Sequence, residues 1–219
     1  MKRNRAVVFD VGANMGQTAS RYRKLLPKAE IYAFEPFPDS IAALRERVAG
    51  DDHIHVVPNA VSSESGLETF YVNGLAATNS LLPRPASDRR YYPRAAETRT
   101  SIQVEATSLD EFVETRGLSS VDVLKLDIQG GELKALRGAR SLLASGKVTL
   151  IYSEIMFVPH YEGAPLFHEI WTHLAGFGYS LFDVYDLHRA GNGQLRYGDA
   201  LFVSDFARKH VIDRFPEEP

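Results

Sequence analysis

"VVFDVGANMGQ", Val7 to Gln17, decides how this chain is read. An apolar run enters Asp10, and after Val11 two glycines, Gly12 and Gly16, bracket Ala13, Asn14 and Met15. A short continuous apolar run fits a strand buried on both faces. Two glycines straight after it permit a sharp turn and let the backbone approach a ligand with no Cβ in the way. Gln17 to Leu26 reads as a helix stopped by Pro27, its N-terminal amides aimed at the same turn.

The same alternation continues outward. "EIYAFEP", Glu30 to Pro36, is a second strand, and "DSIAALRERVAG" a helix with Asp39 or Ser40 as N-cap and Gly50 as terminator. "IHVVPNAVS" is a third strand with its exit loop, and "GLETFYVNG" an extended strand closed by Asn73-Gly74. From Leu75 to Arg99 periodicity fades among Pro, Ala and Arg, which marks either a lid or substrate loop over 75–100, with Ala77 to Pro83 as its hinge and the pocket edge, or a solvated loop of no function. "SIQVEATSLDEFV" gives a strand and a helix capped near Ser108, and "VDVLKLDIQGG" a fourth core strand followed by a helix from Gly131 or Glu132 to Leu143. "VTLIYSEIMF", a helix from Pro165 to Gly176, "YSLFDVYD" and "DALFVSD" complete the pattern. No repeat or linker divides residues 1–219, so one α/β domain is expected, a mostly parallel sheet with helices on both faces. Ligands of such sheets bind beyond the carboxyl ends of the strands, where strand order reverses.

Composition narrows the function. A net charge of −3 over 219 residues argues against a nucleic-acid or anionic-membrane surface. The absence of cysteine excludes disulfides, a thiol nucleophile and thiolate metal sites. No apolar run reaches membrane-spanning length, and the basic start meets Asp10 too soon for a signal-peptide core, so a cytoplasmic protein is expected.

Asp10 and Glu35 end consecutive strands, and an acid ending the second strand is placed to accept hydrogen bonds from a ribose diol. The dinucleotide fingerprint G-x-G-x-x-G is absent, the spacing here being G-x-x-x-G, and no Tyr is followed four residues later by Lys as in short-chain dehydrogenases. Asp10 is awkward for a pyrophosphate but suits a cation carrying an ammonium and a sulfonium. S-adenosylmethionine fits better than NAD.

"FDVGANMGQTA", "IYAFEPFPDS", "NAVSSESGLETFYV", "TSLDEFV" and "VLKLDIQGGELKALRGA", in that order, resemble a methyltransferase of the FkbM family. The resemblance implies a class I S-adenosylmethionine-dependent methyltransferase fold, Rossmann-like, with strand order 3-2-1-4-5-7-6 and the last strand antiparallel. It also implies O-methylation of a small-molecule or glycan acceptor. Carried onto this chain, it places Asp10, Gly12, Asn14 and Gly16 around the methionine part, and Glu35 on the ribose with Pro36 and Phe37 beside the adenosine. Asn59, Ala60 and Val61 fall at the adenine. Where the family often shows Asp-Val-Glu-Gly, this chain has Asp127-Ile128-Gln129-Gly130.

The chemistry is expected from Asp127 and Glu154, which end the fourth and fifth strands. A hydroxyl acceptor needs a base or a metal to become nucleophilic. The two carboxylates suit either role, as general base or as oxygen ligands for Mg²⁺; no third ligand is obvious, which favours the base. His160 is a candidate base or ligand, or else a packing histidine. A non-catalytic nucleotide-binding or interaction module on the same fold is the alternative reading.

Other features carry less. "HEIWTH" resembles a zinc-protease motif, but His168 and His173 are five apart, about 140° around a helix. Trp171 reads as core, and Lys125 as a side chain snorkelling near the sheet end, with assistance to Asp127 as the other role. Arg89, Arg90, Arg94 and Arg99 interleave with Tyr91 and Tyr92, a mixture suited to an anionic sugar more than to nucleic acid given the chain's charge.

Overall fold

The computed structural model describes residues 5–85 and 94–215. The chain begins with β1 (Val7–Val11), α1 (Gln17–Leu25), β2 (Glu30–Phe34), α2 (Pro38–Arg47) and β3 (Ile54–Val57). β4 (Ala60–Val61), β5 (Gly66–Asn73) and β6 (Thr98–Thr107) then leave the main sheet. α3 (Leu109–Thr115), β7 (Val121–Leu126), α4 (Glu132–Arg137), α5 (Arg140–Ala144) and β8 (Val148–Met156) return to it. α6 (Phe167–Ala175), β9 (Tyr179–Arg189), β10 (Leu195–Ser204) and α7 (Asp205–His210) follow.

Seven strands form one sheet in the order β3-β2-β1-β7-β8-β10-β9. Counted within that sheet this is 3-2-1-4-5-7-6, with β10 antiparallel to both neighbours and the remaining pairs parallel. The expected fold class is therefore the observed one. Chain order reverses between β1 and β7, and that crevice is where the site lies.

The pleat sends alternate residues of β1 into two different helix layers. Phe9 and Val11 enter the larger core, where Phe9 packs edge-on against Phe34 at 5.4 Å and Phe112 of α3 at 5.6 Å between ring centres. Val8 enters the other layer with Ala19, Ile31 and Leu44, beneath α1 and α2. Burial on both faces explains why β1 and β2 read as apolar runs without alternation.

β4, β6 and β5 pair as a separate three-stranded sheet, with its own small core of Ala60, Phe70, Leu81, Val104 and Ala106. β5 and β6 were visible in the sequence, whereas β4 falls in what reads there as the exit loop of the third strand, and the separation of all three from the main sheet was not visible. The single helix expected from 131 to Leu143 is two, α4 and α5, broken at Gly138 and Ala139. Asp110 explains the break: its carboxylate accepts from the Ser141 and Leu142 amides at 2.8 Å each and so starts a new helix. Trp171, expected in the core, is 43 % exposed and stacks on Phe167, while Ile170 and Leu174 fill the core side of α6. No helix among the described residues is long and apolar enough to cross a membrane.

The turn after β1 is clamped from two sides. The Gly12 and Ala13 amides donate to the Phe34 carbonyl at 3.1 and 2.9 Å, and Asp127 N donates to Val11 O at 3.1 Å. Gly12 has φ 80°, and a Cβ there would stand 1.9 Å from the Asp127 carbonyl oxygen. Gly12→Ala therefore combines a strained backbone with a backbone clash, and is expected to cost about 3 kcal/mol or more. Urea denaturation read by circular dichroism measures it.

Candidate functional site

A cavity of about 440 Å³ opens at the carboxyl ends of β1, β2, β7 and β8. Of the residues singled out from sequence, Gly12, Asn14, Glu35, Pro36, Asn59, Ala60, Val61, Asp127, Glu154 and His160 line it. Glu35 is almost fully buried; one carboxylate oxygen accepts from the Asn14 amide and the other from the Phe37 amide, each at 2.9 Å. Those bonds fix the carboxylate and leave lone pairs on both oxygens toward the cavity. Burial raises the Glu35 pKa, against the opposing pull of the two amides. Asn14 takes the left-handed conformation at φ 47°, one of the few non-glycine residue types at ease there.

Three of the expected cofactor residues do not line the cavity. Phe37 stacks on Phe70 at 6.5 Å and belongs to the core of the small sheet. Gly16 is the left-handed N-cap of α1, at φ 83°, and a Cβ there would press 2.6 Å from Leu44 Cδ1; its smallness serves the packing of α1 on α2. Asp10 shares the pleat parity of Val8, so it points into the helix layer and is 0 % exposed. Its register partner in β7 is Lys125.

Lys125 does not snorkel. It is buried, with Nζ 3.0 Å from Asp10 Oδ1 and 3.7 Å from Asp127 Oδ2. The ammonium also donates to the carbonyls of Gly12 at 2.8 Å and Val11 at 3.3 Å. Burial alone would lower the Lys125 pKa, but Asp10 and then Asp127 outweigh it and the net shift is upward. Asp10 thus reaches the turn through Lys125.

Beyond this floor lies an acidic cluster held together by an amide. Gln129 Nε2 is 3.1 Å from Asp127 Oδ1, and 3.1 and 2.9 Å from the two oxygens of Glu154. Its other end, Oε1, lies 2.8 Å from the Tyr161 hydroxyl, which is also 2.9 Å from the Thr78 carbonyl and has one proton to give between them. The Gln129 backbone is left-handed at φ 57°, with its carbonyl accepting from Ser80 Oγ at 2.8 Å. Glu132 lies behind, buried, one oxygen accepting from the Ile128 and Gly130 amides at 2.9 and 3.3 Å.

Three carboxyls in so small a volume cannot all ionise at ordinary values. Burial is the main cause that pushes Glu154 well up, and the neighbouring Asp127 and Glu132 add to it. Burial, reinforced by Asp127 against its amide donors, brings Glu132 up to about 7. His160 moves the other way: burial, with Arg84 and Arg196 nearby, takes it down to about 4. At neutral pH His160 is an uncharged imidazole, set edge-on to Tyr197 at 5.5 Å.

The donor set does not fit Mg²⁺. Among the described residues no group of three or more His, Asp or Glu could hold a metal ion. An amide nitrogen, itself a hydrogen-bond donor, lies against the Asp127 and Glu154 oxygens that would have to bind the ion.

Residues 75–85 form a wall of the cavity. Leu75, Ala76, Ala77, Thr78, Asn79, Leu81 and Arg84 line the cavity. Ser80 bridges to Tyr71 in both directions, and Tyr161 holds the Thr78 carbonyl. Arg89, Arg90, Tyr91 and Tyr92 lie outside the described residues. Gln129, Tyr161, Glu132 and Arg84 escaped the sequence reading of the site. Only Gln129 carried a signal, as an amide where the resembled family shows an acid.

Sheet order, the crevice at the β1/β7 reversal and a polar pocket beside paired carboxylates define a class I methyltransferase fold. The methyltransferase FkbM domain matches residues 10–181, and the chain belongs to that family. It is 30 % identical over 72 % of its length to 2-O-methyltransferase NoeI of Sinorhizobium fredii, covering 66 % of that protein. It is 30 % identical to hexuronic acid methyltransferase AglP of Haloferax volcanii, over 66 % of this chain and 54 % of that one. With 31-O-demethyl-FK506 methyltransferase FkbM of Streptomyces tacrolimicus it shares 31 % identity, over 60 % of this chain and 58 % of that one. The chain therefore spans less than two thirds of these relatives' lengths. Magnesium protoporphyrin IX methyltransferase from Synechocystis, solved with bound S-adenosylmethionine, superposes with a TM-score of 0.51 at 11 % identity, over 91 % of this chain and 70 % of that one.

Two outcomes follow from the electrostatics. Lys125→Met leaves the Asp10 carboxylate buried without its cation and is expected to cost about 3–5 kcal/mol, read as a lowered urea midpoint. Glu132 has a folded pKa above that of an unfolded carboxyl, so the stability it contributes is complete below about 4.3. That contribution is lost as pH rises through about 7. Glu132→Gln should flatten the decline in urea midpoint between acidic and mildly alkaline pH; an unchanged slope would refute the assignment.

Proposed function

We propose that the chain transfers a methyl group from S-adenosylmethionine to a hydroxyl of a glycan, glycolipid or secondary metabolite. The observation that carries this reading is one continuous cavity in which a pinned ribose-type acid, Glu35, and an acidic cluster at Asp127 and Glu154 share the same space. The relatives' names, a 2-O-methyltransferase, a hexuronic acid methyltransferase and a 31-O-demethyl-FK506 methyltransferase, supply the acceptor classes.

The residues present fit the cofactor. Glu35 has carboxylate lone pairs for the ribose hydroxyls, Gly12 and Asn14 offer backbone and amide groups to the methionine part, and Asn59, Ala60 and Val61 flank the adenine. The sulfonium supplies an electrophilic methyl carbon. The protein's share is placement of the acceptor and management of its proton. Glu154 is the base in this reading: a raised pKa makes its carboxylate a stronger proton acceptor than an exposed one. Asp127 supplies a second acceptor oxygen at the cavity mouth, and Gln129 orients both. His160, neutral, offers a hydrogen-bond partner to the acceptor. Lys125 acts on the turn by fixing the Gly12 carbonyl, with Asp10 as its counter-ion. A cytoplasmic location accords with an intracellular methyl donor.

Calorimetry with S-adenosylhomocysteine tests the cofactor, and release of S-adenosylhomocysteine across a panel of hydroxylated acceptors tests the reaction. Glu35→Gln is expected to weaken S-adenosylhomocysteine binding by about tenfold or more, the loss of a charge-assisted hydrogen-bond pair. Glu154→Gln is expected to retain that affinity while turnover falls about a hundredfold or more, as for loss of a general base. The binding heat should be the same with Mg²⁺ or EDTA. No heat under either condition would overturn the cofactor; binding without turnover on any acceptor would point to a binding module.

A further inference from the structure

Tyr197 of β10 lines the cavity together with Glu154, and it lies past residues 10–181, the span matched to the family. The pairing of β10 with β8 sets Asp199 opposite Glu154 and Tyr197 opposite Met156. Tyr197 and Glu154 are therefore diagonal neighbours on one face of the sheet, about 7–8 Å apart along the backbone and within reach of a shared small ligand. The Tyr197 ring is held from two sides: His188 stacks on it at 4.4 Å between centres, and His160 meets it edge-on at 5.5 Å. Its hydroxyl, by contrast, bonds no protein group among the described residues. Burial, then Glu154 and Asp199, push its pKa up, so at neutral pH it keeps a proton to donate. The β9–β10 ladder breaks register on both sides of this residue. Between Leu195 and Tyr197 the extra residue is on β10; between Tyr197 and Asp199 it is on β9, where Asp186 is left-handed at φ 46°. Bulges of this kind redirect a side chain and gather beside active sites.

We propose that Tyr197 selects the acceptor: its hydroxyl donates to an oxygen on the carbon next to the hydroxyl that is methylated, so the acceptor carries vicinal oxygens. The reacting oxygen gives its proton to Glu154 and must keep a lone pair free for the methyl carbon. A donor placed on that same oxygen would hold the pair back. The neighbouring oxygen has lone pairs to spare, and a group diagonal to Glu154 is placed to meet it. An isolated alcohol would instead leave the Tyr197 donor facing the ligand with no partner. The inference rests on the methyl-transfer reading and deepens it, with Tyr197 as a specificity-determining residue.

A Tyr197 that only packs would act through its ring, which Tyr197→Phe keeps. That variant removes one unpartnered hydroxyl, so the fold is retained and the two roles separate cleanly. The probes are matched pairs on one ring: tetrahydropyran-3,4-diol against tetrahydropyran-4-ol, and cyclohexane-1,2-diol against cyclohexanol, each diol as its cis and trans forms. Affinity is read by NMR titration of the protein with and without saturating S-adenosylhomocysteine, so the preference is measured whether or not the cofactor product binds. One form of each diol is expected to bind at least about fivefold more tightly than its single alcohol, the gain of one hydrogen bond. Tyr197→Phe should bring each pair within about twofold and leave S-adenosylhomocysteine affinity unaltered. Equal affinities within both pairs, no binding of any diol, or a preference that survives Tyr197→Phe would overturn the proposal. Absence of S-adenosylhomocysteine binding would instead remove the methyl-transfer reading.

Discussion

The buried contact between Lys125 and Asp10 is the constraint on which the rest of the site depends. A lysine ammonium taken out of water is costly, and the cost is met here by one full carboxylate, a second at longer range and two carbonyls. Those partners come from the strand end and turn of β1 and from β7 itself. The pair therefore sets the height of the Gly12 turn against the Asp127 loop. Gly12 has no Cβ because the Asp127 carbonyl occupies that volume. Once the turn is fixed, the Asn14 amide meets Glu35, and Glu35 in turn receives Phe37. A chain of short polar contacts thus runs from the middle of the sheet to the cavity wall.

The acidic cluster follows a different rule. Three carboxyls compete for the same poorly solvated space, and a neutral donor amide keeps two of them apart and oriented. An acid at position 129 would have added a fourth negative group, whereas glutamine supplies two N–H donors and sets its oxygen 2.8 Å from the Tyr161 hydroxyl. The amide found at this position thus has a physical role. Its cost is a left-handed backbone, and the surrounding bonds from Ser80 and Tyr161 hold it there.

The mostly parallel sheet and the switch-point location were legible because β1 and β2 are buried on both faces and announce themselves as apolar runs, whereas the strand order was carried only by the family resemblance. What the sequence could not disclose depends on pairing. Asp10 and Glu35 both end strands, but the pleat turns one into the helix layer and leaves the other at the cavity. Whether Lys125 surfaces or stays inside depends on its register with Asp10, a strand distant in sequence. Tyr161 and Arg84 meet only because the 75–85 wall folds over the loop after β8. Asp110, an ordinary N-terminal acid of α3 by sequence, spends its carboxylate on another helix and splits a segment that periodicity read as continuous.

The small sheet that roofs the cavity is rooted in very little. β4 joins β6 through two register pairs, Ala60 with Ala106 and Val61 with Thr107, and Ser62 adds one further backbone bond to Thr107. Outside that root, β5 and β6 pair along their length with each other, and β5 also bonds the 75–85 wall through Tyr71–Ser80 and Asn73–Asn79. A hairpin tied to the main sheet by so few backbone bonds can lengthen, shorten or change its tip without disturbing that sheet. A change of length or sequence at that tip alters the cavity's roof while the seven-stranded sheet beneath keeps its own pairing.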